Sequence, residues 1–172
     1  MHILITQATP TDVPAITRLL NSSYRGEESN KGWTTEAKLI AGETRADEAM
    51  VSNTMLQPGN VFLKYTGSDG PIVSCVNLQQ NGTKIYLGMF GVEPRLQGSG
   101  IGKQMLQAAE NYALQVGCTS IYMTVITLRT ELIAWYQRHG YVDTGIRIPF
   151  VEDAITGKHL QQLEFMELEK GL

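Results

Sequence analysis

The sequence predicts a mixed α/β (α+β) domain built on a sheet of about seven strands, mostly antiparallel, with one strand–helix–strand crossover near its centre. Three observations carry this. Short β-branched apolar runs and longer stretches of helical period succeed one another in the order β, α, α, β, β, β, α, β, α, β, β. Three consecutive strands are joined by tight turns, one of them Asn81-Gly82, a strong two-residue hairpin signal. A single amphipathic helix then separates two strands within 84–126, the arrangement that a parallel pair requires. With 172 residues, 42% of them apolar and 18% charged, the chain is expected to form one domain over 1–172 and to bury a core without staples.

Each element has a local reason. Residues 2–7 (HILITQ) are apolar and β-branched and stop at Thr9-Pro10, which predicts a strand. From Thr11, placed to cap, Val13, Ile16, Leu19, Leu20 and Tyr24 recur at helical spacing, and Pro14 is tolerable in a first turn. Residues 25–33 (RGEESNKGW) have no period and read as a loop. A short helix is expected over 35–41, stopped by Gly42. Another is expected over 45–57, opened by a capping-box pattern at Thr44 and Asp47 and ended by Pro58-Gly59. Strands over 60–66, 71–80 and 84–92 form a meander, linked by the Gly-Ser-Asp-Gly turn at 67–70 and by Asn81-Gly82. After the loop 93–100 (EPRLQGSG), Ile101, Met105, Ala108, Ala109, Tyr112, Ala113 and Val116 mark a helix over 101–116, ended by Gly117. Residues 119–126 are strand. Leu128, Leu132, Trp135, Tyr136 and His139 mark a last helix closed by Gly140. Residues 141–147 and 160–168 are read as a final antiparallel pair around a long loop, IPFVEDAITGKH.

Charge and cysteine content narrow the function classes. Fourteen Lys and Arg against 17 Asp and Glu give a net charge of −3, and no run of like charges occurs, so a polybasic nucleic-acid or membrane-surface role is not expected. No apolar run reaches the 18 or so residues of a membrane span, and the first residues lack a signal-peptide pattern. Cys75 and Cys118 have neither metal-ligand spacing nor a disulfide framework. The expectation is a cytoplasmic protein with reduced thiols, no metal, no nucleic acid and no membrane partner.

The segment richest in chemistry is Gln97-Gly98-Ser99-Gly100-Ile101-Gly102-Lys103, which joins a strand to a helix N-terminus. A helix start presents unpaired backbone N–H groups and a positive dipole end, and glycines let that backbone approach an anion, so the segment predicts a phosphate cradle. It is not a Walker A loop, because position 97 is Gln and Gln104 follows Lys103. Nor is it the dinucleotide pattern, because Lys103 stands where the third Gly belongs.

QGSGIG at 97–102 resembles the [QR]-x-x-G-x-[GA] motif of the GNAT superfamily, the acyl-CoA-dependent N-acyltransferases. GVEP at 91–94 is similar to the V-x-P that ends that family's fourth strand. LIAWYQRHGYVDTG at 132–145 resembles its Y-x-x-x-G-[FY] segment, and the element order is similar over essentially the whole chain. The resemblance implies that the N–H groups of Gln97, Gly98, Ser99, Gly100, Ile101 and Gly102, with Lys103 nearby, hold the pyrophosphate of acetyl-CoA. It implies that the pantetheine arm runs along the backbone of Phe90, Gly91 and Val92, where the fourth and fifth strands splay. Gly88 and Gly91 suit a bulge there, and close packing explains them equally well. Tyr136 matches the family's general acid. Arg129 stands where many members carry a cofactor-binding Asn, and is expected either to meet a phosphate or to pair with Glu131.

The resemblance implies a general base, often a Glu, on or near the fourth strand, but 84–92 contains no acid and Glu93 lies beyond it, so no residue takes that role; a water relay is the default, with Glu27, Glu28 and the C-terminal acids as lesser candidates. The acceptor is expected between the early helices and the last strand pair, under a lid containing Tyr24, Arg25, Glu27, Glu28 and Trp33. There Arg25 and Lys31 offset the two acids, and Trp33 serves as anchor or substrate wall. His2 and His159 have no visible partner, and His139 reads as a favourable charge at a helix C-terminus. The expected activity is acetyl transfer from acetyl-CoA to a primary amine of a small molecule or peptide; the alternative is a non-catalytic acyl-CoA-binding module. Many members of the superfamily are dimers, so a homodimer is compatible, although no segment signals an interface.

Overall fold

The strand Asn60–Thr66 shows how the layers arise: Val61, Leu63 and Tyr65 enter one apolar cluster and Phe62, between them, enters another. Alternation with period two, apolar on both faces, demands a cover on each side. The computed structural model describes residues 4–67 and 70–172 and supplies both covers. Its strands are β1 (Leu4–Gln7), β2 (Asn60–Thr66), β3 (Ile72–Asn81), β4 (Lys84–Val92), β5 (Ser120–Ile126), β6 (Val142–Phe150) and β7 (Leu163–Gly171), and its helices are α1 (Val13–Tyr24), α2 (Gly26–Ser29), α3 (Glu48–Leu56), α4 (Ile101–Gln115) and α5 (Thr130–Arg138). The strands form one sheet in the order β1-β2-β3-β4-β5-β7-β6. Only β4 and β5 are parallel, as the crossover through α4 predicts. α1 and α3 pack on the Phe62 and Cys75 face; α4 and α5 pack on the face holding Val61, Val76, Ile85 and Ile121.

Several boundaries differ from expectation, each for a local reason. Residues 2 and 3 of the expected first strand, with His2, and Ser68 and Asp69 of the expected turn lie outside the described residues. A three-residue helical turn, Pro10–Asp12, precedes α1, and Asp12 Oδ2 accepts from the amide of Thr9 at 2.8 Å, so the chain is capped from Thr9 and not Thr11. The loop predicted at 25–33 contains the single turn α2, held by Ser29 Oγ donating to the carbonyl of Gly26. The helix expected over 35–41 does not form. After one turn at Glu36 the backbone leaves to pair with 158–160, with Ala41 N donating to Lys158 O at 2.8 Å. The second early helix begins at Glu48 because the amides of Arg45 and Ala46 are taken by Asn21 Oδ1; Asp47, not Thr44, caps it by accepting from Met50 N at 2.7 Å. β6 runs on to Phe150 through Pro149. As the outermost strand β6 needs no ladder donor there, and Phe150 stacks on Phe165 of β7 at 4.3 Å.

Candidate active site

β4 and β5 pair only through Lys84–Tyr86 and Ser120–Tyr122, so from Leu87 onward β4 has no strand partner on that side. The divergence coincides with a bulge. Across from β4, Cys75 pairs with Gly91 and Asn77 with Gly88, so Met89 and Phe90 together face Val76, and Met89 takes a left-handed φ of 45°. Both explanations of the flanking glycines hold. A Cβ on Gly88 would come within 3.0 Å of the Tyr86 ring, and one on Gly91 within 2.9 Å of Ser23 Oγ, so the bulge lies between two close approaches.

A cleft of about 330 Å³ opens beside this edge. Its floor is Phe90, Gly91 and Val92, and its far end is Gln97, Gly98, Gly100, Gly102 and Lys103. Gly98 and Gly100 have φ of 83° and 93°, and a Cβ on either would meet nothing within 4 Å. These two are therefore glycine for backbone conformation and leave open space in front of the amides. Gly100 caps α4 with no side chain bonded to the helix start, so the amides of its first turn lack an intrahelical acceptor and point at that space. Gln97 also acts as a brace. Its Oε1 accepts from Trp33 N at 3.0 Å and its Nε2 donates to Val92 O, tying the segment before Glu36 to the end of β4.

α5 supplies the facing wall. Trp135 contacts Trp33, Phe90, Tyr136 and His139, and His139 is fastened through Nδ1 to the carbonyl of Trp135 at 2.7 Å. Tyr136 is 4% exposed, and burial pushes its phenol well above its ordinary range, so it stays protonated. Tyr24 donates its hydroxyl to the carbonyl of Phe90 at 2.8 Å, and burial raises its phenol too. Tyr24, Phe90, Arg129, Leu132 and Tyr136 are shared between the cleft and a second cavity, of about 100 Å³, that runs toward β6 and β7.

Residues 14–141 match the Acetyltransferase (GNAT) family. The chain belongs to that family. The match covers most of its length and includes the glycine loop and Tyr136, and the family is one of acetyltransferases whose co-substrate is acetyl-CoA. A spermine/spermidine N(1)-acetyltransferase from Bacillus subtilis (strain 168) is 33% identical over 63 residues, which is 36% of this chain and 41% of that one. The fold matches the ribosomal-protein-S18-alanine N-acetyltransferase of Escherichia coli with a TM-score of 0.73, at 14% identity over 99% of this chain and 94% of the other. It matches Ard1 from Thermoplasma volcanium with a TM-score of 0.74, at 16% identity over 100% and 99%. Among the described residues, no helix of this GNAT acetyltransferase is long and apolar enough to cross a membrane.

The structure thus gathers Phe90, Gly91, Val92, Gln97, Gly98, Gly100, Gly102, Lys103, Arg129 and Tyr136 around one cleft. Ser99 and Ile101 belong to the same turn; Ser99 Oγ donates to Leu96 O, and Ile101 packs into the core. Arg129 does not pair with Glu131, whose carboxylate accepts from Thr34; it donates to Glu36 Oε2 at 2.9 Å and to Thr34 Oγ1 at 2.8 Å. Arg25 does not offset Glu27 and Glu28. It is buried and bonded to Glu36 Oε1, while exposed Glu28 pairs with Lys31. Trp33, 44% exposed, is both wall and anchor, since it lines the cleft and packs on Trp135. His139 sits at the end of α5 as expected and also lines the cleft. The sequence reading missed Glu36, the centre of a buried charge cluster, and the site roles of Arg45 and Tyr86 in the second cavity. A lone Glu in a polar stretch, 93 residues from Arg129, carries no local signal.

Proposed function

We propose that this enzyme moves the acetyl group of acetyl-CoA to the primary amine of a small molecule, by direct attack of the amine nitrogen on the thioester carbonyl. The observation that carries this reading is that the cleft beside the glycine loop and the second cavity meet at Tyr24, Phe90, Arg129, Leu132 and Tyr136. The open space before Gly98 and Gly100, the free first-turn amides of α4 and the nearby Lys103 suit the coenzyme's pyrophosphate. The unpaired edge of β4 at Phe90, Gly91 and Val92 suits its amide-bearing arm. When bound, acetyl-CoA supplies an activated acyl thioester at the junction of the cavities.

Tyr136 is the donor assigned to the departing sulfur. A thiol titrates near 8.5 and a phenol near 10, so in water the phenol would give up its proton uphill. Desolvation raises both, and a phenol kept protonated by burial can donate a hydrogen bond to sulfur as negative charge develops there. The amine must also lose a proton. Among the described residues, Glu36 is the one carboxylate lining either cavity, and its oxygens accept from Arg25 and Arg129. A water therefore carries that proton away.

Thermal unfolding with acetyl-CoA tests the reading. At a hundred times its dissociation constant the ligand should stabilise by about 2.7 kcal/mol, a rise of roughly 5–11 °C for a chain of this size. No shift at millimolar concentration would refute it. Tyr136→Phe should lower kcat by about a hundredfold and leave the acetyl-CoA shift intact; unchanged kcat would remove the proposed donor.

A further inference from the structure

We infer that the acceptor of this acetyltransferase is a small amine bearing a carboxylate, an amino acid or a compound of that shape, and neither a polyamine nor the end of a polypeptide. The inference rests on the acetyl-transfer reading above and narrows it. The second cavity, on the far side of Tyr136 from the glycine loop, has a charged lining of Arg45, Arg129 and Glu36. Glu36 is already neutralised twice: Oε1 accepts from Arg25, which lies behind it, and Oε2 from Arg129 at 2.9 Å. Two guanidinium groups therefore bind one carboxylate, and a third, Arg45, lines the same cavity.

The third, Arg45, has capacity left for a ligand. Arg45 lies over the ring of Tyr24, 5.1 Å from its centroid, and has no ion-pair partner among the described residues. Asp153, a nearby acid, is occupied by the amides of Ile155 and Thr156 and by Thr156 Oγ1. Arg129 lies 5.7 Å from the same centroid, and its Nε is buried with no hydrogen-bond partner, although its side chain is only 7% exposed. An anionic ligand entering this cavity meets the unpaired Arg45, and a charge-assisted hydrogen bond there is stronger than a neutral one. A polyamine would bring further positive charge to a wall that is already net positive.

The size of the cavity disfavours a chain terminus. Over this side the backbone around Ile40 bridges to that around His159, with Ala41 N donating to Lys158 O at 2.8 Å and Leu160 N to Leu39 O at 2.9 Å. Arg25 adds a tie to the carbonyl of Thr156. Ile40 packs with Ile126 and Leu163 against Phe150 and Phe165, so the roof is continuous with the cavity wall. The cavity itself holds about 100 Å³ and is walled by Met89, Met123, Phe150 and Phe165. An amine directed at Tyr136, a carboxylate at Arg45 and Arg129, and a short apolar side chain on the phenylalanines account for the lining.

The test measures CoA release from acetyl-CoA with the common α-amino acids. Methionine, leucine and phenylalanine are each paired with the amine left by decarboxylation, and spermidine and an alanine-led tripeptide are run alongside. At least one amino acid should exceed its decarboxylated partner about ten- to hundredfold in kcat/KM, the range a charge-assisted contact supplies. Arg45→Gln, checked for folding by its acetyl-CoA thermal shift, should collapse that ratio to near unity. Equal or faster turnover of the decarboxylated amine, or spermidine or the tripeptide as the best substrate, would overturn the inference. So would an acetyl-CoA thermal shift without transfer to any amino acid, and that outcome leaves the acetyl-transfer reading standing. Failure of acetyl-CoA to shift the unfolding temperature would overturn the acetyl-transfer reading instead.

Discussion

Replacing Glu36 by Gln isolates the charge at the centre of the buried arginine cluster. The carboxylate is 8% exposed and bridges Arg25, 1% exposed, to Arg129, 7% exposed. Gln keeps the length and one acceptor oxygen but leaves two buried guanidiniums without a counter-charge. Removing one partner of a buried ion pair typically costs about 3–5 kcal/mol, chiefly because the remaining charge is desolvated and unpaired. One amide oxygen still accepts a hydrogen bond, so the lower end, about 3 kcal/mol, is expected. For a chain of this size that corresponds to a fall of roughly 6–12 °C in Tm. Urea unfolding should show a lower midpoint with the slope unchanged, the signature of lost stability without a changed denatured state. Glu28→Gln removes an exposed pair with Lys31 and should move the midpoint hardly at all. A Glu36→Gln effect below about 1 kcal/mol, or no larger than that of Glu28→Gln, would refute the reasoning. It would mean that water reaches these arginines and that the cluster is not a dry structural element.

Three further outcomes follow from the same geometry. Gly91→Ala places a Cβ 2.9 Å from Ser23 Oγ and should cost about 1–3 kcal/mol in urea unfolding; Ser23→Ala in the same chain should recover part of it, and no recovery would mean that the clash lies elsewhere. Gly100→Ala meets no neighbour but forces an L residue to φ 93°, a strain of about 1–2 kcal/mol that should distort the cradle and weaken acetyl-CoA at least several-fold by calorimetric titration, and undiminished affinity would detach the loop from the coenzyme. Burial pushes the Cys75 thiol up from 9.0 to about 12, so it should resist thiol reagents in the folded protein and react on unfolding. Because the folded value is the higher one, its contribution to stability is complete below about pH 9 and is lost as pH rises from there toward 12. Rapid labelling of Cys75 in the folded protein at pH 8 would contradict this.

The fold was legible where local periodicity and tertiary burial ask for the same thing. β2 and β4 have the bounds read from their alternation, and α4 ends one residue earlier than its apolar stripe suggested. Misreadings fall where a distant group captures a backbone amide. Asn21 takes the amides of Arg45 and Ala46 from a helix start, and 158–160 takes the backbone of 39–41 from a helix. β6 is longer than read because Pro149, a stop signal within a central strand, sits on the sheet's outer edge, where its missing N–H goes unnoticed. Edge position is a property of topology and has no trace in a five-residue window.

The two halves of the candidate site differ in the same way. The proposed anion cradle is made of successive backbone amides, so the residues that build it must be neighbours in sequence, and glycines at 98, 100 and 102 point to it. The proposed acceptor pocket has no such constraint. Arg25, Glu36, Arg45 and Arg129 come from four places in the chain, and only the sheet opening between β4 and β5 gives them a common centre at Tyr24. Coenzyme chemistry therefore leaves a contiguous signature by which the family is known. Amine selection is written in side chains that any one segment could exchange without disturbing that signature. The part proposed to select the substrate is for this reason the part that required the fold before it could be read.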